Sequence, residues 1–149
     1  MRGLLIRVGI VVVIVAVGFI FRDFLSGNAS DLNVGDCFDP PTTVNTVVKD
    51  VQHHPCSDAH RAEVFFVADY DQAGQAYPGQ SAFETWVFDR CVGAFNTYVG
   101  RSYEDAKELD FQPFWPTEEG WGKGDKEVTC FAVRVDGKTM TTSVKTQTQ

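Results

Sequence analysis

The longest apolar stretch of the chain runs from Leu4 to Leu25, broken only by Arg7 near one end and Arg22-Asp23 near the other. The fourteen residues between Arg7 and Arg22 would span about 21 Å as a helix, short of a hydrocarbon core of about 30 Å. Adding Leu4-Leu5-Ile6 and Phe24-Leu25 brings the run to about twenty-two residues, enough to cross, and the long arginine stems carry their charges out to the headgroups. The run has no polar face, which argues against a buried core helix. A cleaved signal peptide is the competing reading. Its cleavage candidate, Gly27-Asn28-Ala29, is weak because it follows a charged and bulky Arg-Asp-Phe-Leu. The pattern predicts an uncleaved single-pass transmembrane helix within residues 1–25. Arg2 and Arg7 hold the N-terminus on the cytoplasmic side and leave the remaining chain extracytoplasmic, bound to the lipid bilayer through that helix.

Beyond the anchor the pattern changes to short alternating and periodic segments. Residues 26–31 read as a flexible linker, 32–144 as one domain and 145–149 as a disordered polar tail. Thr42 to Val51 is rich in β-branched residues and predicts a strand, and Gln52 to Asp58 a turn containing His53 and His54. Glu63 to Ala68 predicts a strand buried on both faces, and Asp69 to Gly79 a loop. Ser81 and Glu84 form a capping box that opens a helix. Its buried stripe is Phe83, Val87, Cys91, Ala94, Phe95 and Tyr98, and Gly100 sits at its C-terminal cap. Glu108 to Trp115 is limited to an edge strand by Pro113 and Pro116, and Thr117 caps a single helical turn. Val128 to Val135 and Lys138 to Val144 flank Asp136-Gly137, a hairpin signal. The order predicts an α+β fold with a small, mostly antiparallel sheet and one packed helix.

Charge narrows the partners. The whole chain carries −7, but the first thirty residues hold three bases and one acid, so the outer part carries ten bases and nineteen acids, or −9. A domain this acidic is a poor partner for nucleic acid and is repelled by anionic lipid. All four cysteines, Cys37, Cys56, Cys91 and Cys130, lie in that outer part. An even count in a small exported domain predicts two disulfides, with three pairings open. There is no C-x-x-C to signal a redox or zinc-ribbon site.

Candidate chemistry is sparse. His53, His54 and His60 cluster with Cys56, but their spacing matches no standard zinc pattern, and an oxidised cysteine cannot ligate. Asp69-Tyr70-Asp71 opens like a calcium loop that fails at Ala73 and Gln80. No nucleophile elbow or phosphate loop is present. No catalytic residue, metal or cofactor is therefore expected. A metal-dependent or hydrolytic module built on His53, His54 and His60 is the alternative to a non-catalytic binding or scaffold module. The Pro-bounded Phe114-Trp115 is a candidate interaction patch.

A set of ordered motifs supports a resemblance. They are Leu32-Asn33-Val34-Gly35-Asp36-Cys37-Phe38, then Pro55-Cys56 followed by His60 and Glu63-Val64-Phe65, then Tyr77-Pro78-Gly79, Cys91 and Tyr98-Val99-Gly100. Pro116-Thr117-Glu118-Glu119 with Trp121, Gly124-Asp125 and Val128-Thr129-Cys130 complete the set. With them the chain resembles the septum formation family of actinobacteria, small extracytoplasmic domains held at the membrane by a helix or a lipid. The resemblance implies two disulfides. Sequence proximity and the packing of the helix on the sheet then favour Cys37–Cys56 and Cys91–Cys130. It also implies a role at the division septum or cell envelope, with envelope or division proteins as partners, and it supplies no catalytic residues.

Overall fold

The computed structural model describes residues 26–41, 48, 50–72, 74 and 76–146. The expected Leu4–Leu25 anchor, most of the expected Thr42–Val51 strand and the last three residues lie outside the described residues. No helix among the described residues is long and apolar enough to cross a membrane.

The strands are β1 (Ser26–Asn28), β2 (Cys37–Asp39), β3 (Asp50–His54), β4 (Ala62–Asp69), β5 (Leu109–Phe114) and β6 (Glu127–Arg134). The helices are α1 (Gln80–Val99) and the short α2 (Glu118–Gly122), with a 3-10 turn over Ala29–Asp31. All strand pairs are antiparallel, in the order β1-β3-β2-β4-β6-β5. The expected α+β architecture is present, and the segment expected as a flexible linker is instead an edge strand and a helical turn. The strand expected to end at Val51 runs on through His53 and His54, because those residues pair with Cys37 and Phe38 of β2.

Side-chain alternation divides the core into two layers. On one face Val128, Cys130 and Ala132 of β6 pack with Phe83, Trp86, Cys91 and Phe95 of α1. On the other, Phe131 packs with Phe38, Val51, Ala62, Val64 and Leu32. The register of β4 against β6 shifts between Val64 and Phe66. The extra residue of this bulge lets the neighbours Phe65 and Phe66 both pack toward α1, where strict alternation would have split them. The Cys91–Cys130 disulfide joins α1 to β6 within this layer, and Cys37–Cys56 ties β2 to the turn after β3.

The ends of α1 follow local chemistry only in part. The predicted capping box is absent. The N-cap is Gly79, without a side-chain cap, and Glu84 instead accepts from Gln80 Nε2 at 2.7 Å. At the other end Gly100 takes the left-handed conformation, φ 77°, and its amide donates to Asn96 O. A Cβ there would lie 2.6 Å from Thr146 Oγ1, so two constraints require glycine.

The Asp136-Gly137 turn forms, but no hairpin follows it. Gly137 has φ 69°, and its amide donates to Arg134 O. Both edges of β6 are already occupied, by β4 and by β5, so the returning chain has no ladder to join. It crosses instead to His60, where Met140 and His60 exchange backbone hydrogen bonds. The segment then reaches α1, where the Thr146 amide donates to Tyr98 O.

Candidate functional site

Two polar constructions stand out, one closed and one open. The closed one is centred on Glu63, which is fully buried. Its Oε1 accepts from Tyr98 Oη at 2.7 Å and from Ser143 Oγ at 2.6 Å, and its Oε2 accepts from the Val144 amide at 2.7 Å. A buried carboxylate is tolerated when it is this fully hydrogen-bonded. The same three bonds hold helix α1 and the returning segment to β4. Beside it lies His60, also fully buried. Its Nδ1 donates to Asp58 O at 2.8 Å, which leaves Nε2 as a lone pair with no hydrogen-bond partner among the described residues.

Ligand atoms of Cys37, His60 and Glu63 come within 4.8 Å of one another. Cys37 is committed to its disulfide and offers no thiolate, so the trio is not a metal site as it stands. His53 and His54 are neighbours on one strand and point to opposite faces. His54 Nε2 lies 3.4 Å from Asp39, and the three histidines do not converge among the described residues. The histidine grouping behind the alternative, metal-dependent reading is thus dispersed by the strand it was expected to follow.

The calcium-like loop is also used otherwise. Asp71 accepts from Trp86 Nε1 at 2.6 Å and pairs with Arg90. These partners, Trp86 foremost, hold its carboxyl below the usual carboxylate range.

Two tyrosines are held neutral. Burial, reinforced by the bond to Glu63, pushes the Tyr98 hydroxyl far up. The bond to Asp110 at 2.6 Å pushes Tyr103 up to about 12. A raised acid contributes stability that is complete below its unfolded pKa, about 10, and is lost as pH climbs through the folded value. The domain is therefore expected to lose stability progressively above about pH 10. Ultraviolet titration at rising pH should show Tyr98 and Tyr103 ionising late, or only as the fold opens; normal titration of the Tyr98→Phe variant and the parent alike would contradict this.

The open construction is a cleft of about 1220 Å³ beside the end of the sheet. Its apolar wall is Phe114, Trp115, Phe131 and the prolines Pro40, Pro113 and Pro116. The candidate patch Phe114-Trp115 is therefore half-buried rather than projecting. Phe114 packs on Phe131 and Phe38, and Trp115 stacks on Phe83 of the other layer. Thr117 caps α2 by accepting from the Gly120 amide and so sets Glu118 and Glu119 on the rim. Asp50, Asp125 and Glu127 also line the cleft, against Lys123 as its single base among the described residues.

Sequence reasoning missed two residues of this rim, Asp50 and, half-buried at the start of β6, Glu127. Burial, with Asp125, Asp69 and Asp31 nearby, raises its carboxyl above the usual range. The sequence signal was available, since Asp125 and Glu127 stand at the start of a strongly apolar strand.

The cleft borders β5, an edge strand whose outer side is closed. The Leu109 amide donates to Ala106 O, the Phe111 amide donates to Asp110 Oδ1, and Pro113 has no N–H. Alternate residues of an antiparallel strand direct their amides to one side, so these three positions face away from β6. Each donor is spent or missing, which blocks pairing with another strand.

Comparison with protein-family models matches residues 34–149 to a family described as septum formation. No curated protein matches the chain, and no solved structure does.

Proposed function

The chain belongs to the septum formation family, and from that membership we propose that it acts as a membrane-anchored, extracytoplasmic, non-catalytic binding module in septum formation or cell-envelope growth. The Leu4–Leu25 pattern supports the anchor, and the disulfides Cys37–Cys56 and Cys91–Cys130 fit an oxidising compartment. The observation that carries the binding role is the cleft, an aromatic and proline wall facing a carboxylate rim. Clefts of this kind, apolar with a few placed polar groups, are where proteins take ligands and partner segments. The partners implied are envelope or division proteins.

A photo-crosslinking residue placed at position 115 of the full chain, in cells, tests this. The expected result is a discrete adduct in the membrane fraction that the same probe at the exposed position Glu104 does not give. Equal labelling from both positions, or recovery of the chain in the soluble fraction, would refute the assignment.

A further inference from the structure

We propose that the cleft takes a cationic, extended segment of a partner protein, its lysine or arginine side chains set among Asp50, Glu118, Asp125 and Glu127 and its apolar side chains against Phe114 and Trp115. This rests on the binding-face reading above and names the chemistry of the occupant.

Three observations lead to it. The first is charge. Among the described residues, five carboxylates line the cleft against the base Lys123, which is paired with Glu119 at 2.5 Å. The face is therefore complementary to positive charge and repels nucleic acid and anionic lipid.

The second is dispersion of that charge. Among the described residues, the group of His, Cys, Asp and Glu side chains whose ligand atoms draw together is Cys37-His60-Glu63, outside the cleft. The cleft carboxylates do not close around a point. Several separated cations along a chain fit them, whereas a single metal ion does not.

The third is the blocked edge of β5. With the outward amides of Leu109 and Phe111 spent and Pro113 lacking one, an incoming segment cannot add as a strand. Recognition must run through side chains. An incoming cation also relieves the like-charge crowding around Glu127.

The test uses the purified full chain in non-ionic detergent and three ten-residue peptides of alternating Lys-Ala, Glu-Ala and Ser-Ala. Tryptophan fluorescence and calorimetry read the binding. The Lys-Ala peptide is expected to bind one to one, about tenfold tighter than Ser-Ala, with Glu-Ala silent. Asp125→Asn with Glu127→Gln should weaken it about fivefold, and Trp115→Ala should weaken it as well. Asp89→Asn with Glu104→Gln, equal in charge and outside the cleft, should change it less than about twofold.

Equal weakening by the remote pair would reduce the effect to general attraction by an acidic surface and overturn the proposal. Tight, Trp115-dependent binding of Ser-Ala equal to Lys-Ala would overturn the cationic occupant while leaving the binding face intact. If no peptide binds and position 115 crosslinks nothing in cells, the face itself falls. Crosslinking at 115 to a second copy of the chain would assign the cleft to self-association and also overturn the proposal.

Discussion

Glu63→Ala is expected to cost about 3–5 kcal/mol of folding stability, the range for breaking a buried, hydrogen-bonded charge network. The loss has a structural origin beyond the carboxylate. The Tyr98 hydroxyl, the Ser143 hydroxyl and the Val144 amide would all lose their acceptor in one step. Glu63→Gln keeps the shape and one acceptor oxygen but turns an amide nitrogen toward a donor, so its cost should fall between alanine and the parent. Chemical denaturation followed by tryptophan fluorescence measures the loss, and hydrogen exchange locates it. Amides over Met140–Thr146 should lose protection before those of β4 and β6. A cost below about 1 kcal/mol for the alanine variant would mean that the network is not what closes the domain.

The second large effect is expected from the Cys91→Ala, Cys130→Ala double variant. That bridge closes a loop with a sequence separation of 39, for which the chain-entropy relation gives about 4 kcal/mol. Cys37–Cys56, with a separation of 19, is worth about 3 kcal/mol on the same relation. The difference in position matters more than the difference in loop length. Cys91 and Cys130 are both fully buried between α1 and β6, so removing their sulfurs also leaves a packing defect. The double variant at 91 and 130 should therefore be the less stable of the two disulfide-deleted proteins in urea. The reverse order would show that neither loop length nor helix–sheet docking decides the matter.

Periodic and compositional signals in the chain are strong enough to place α1, β4, β5, β6 and the Thr117-capped turn. Each of these is set by burial on one face or by proline and cap chemistry close in sequence. The signals fail where the answer is settled by what occupies the neighbouring space. Asp136-Gly137 is a good turn in any context, but a hairpin needs a free ladder, and β6 has none. Ser81 and Glu84 have the composition of a capping box, but the N-cap of α1 falls two residues earlier, at Gly79, and Glu84 binds Gln80. His53 and His54 look like a cluster in a line of letters, and strand geometry sends them to opposite faces.

The candidate site is legible to a similar degree. Phe114-Trp115 stands out as an aromatic pair between prolines. Glu63 falls in one of the segments that carry the resemblance, but nothing local shows that it is a hub. Its partners lie 35, 80 and 81 positions away, and no periodicity reports contacts at that range. The carboxylate rim is likewise assembled from segments that precede and follow the long helix in sequence.

That range has a consequence for the order in which the domain can be made. Glu63 leaves the ribosome well before Ser143 and Val144, and until they follow, a buried carboxylate has only Tyr98 to answer it. The sheet and helix can associate early, but the domain cannot close until synthesis has passed Val144. A nascent chain stalled short of that point would present an open core and an unsatisfied charge to the quality-control machinery. Completion of the chain, rather than formation of its hydrophobic layers, is then the event that separates the incomplete protein from the finished one.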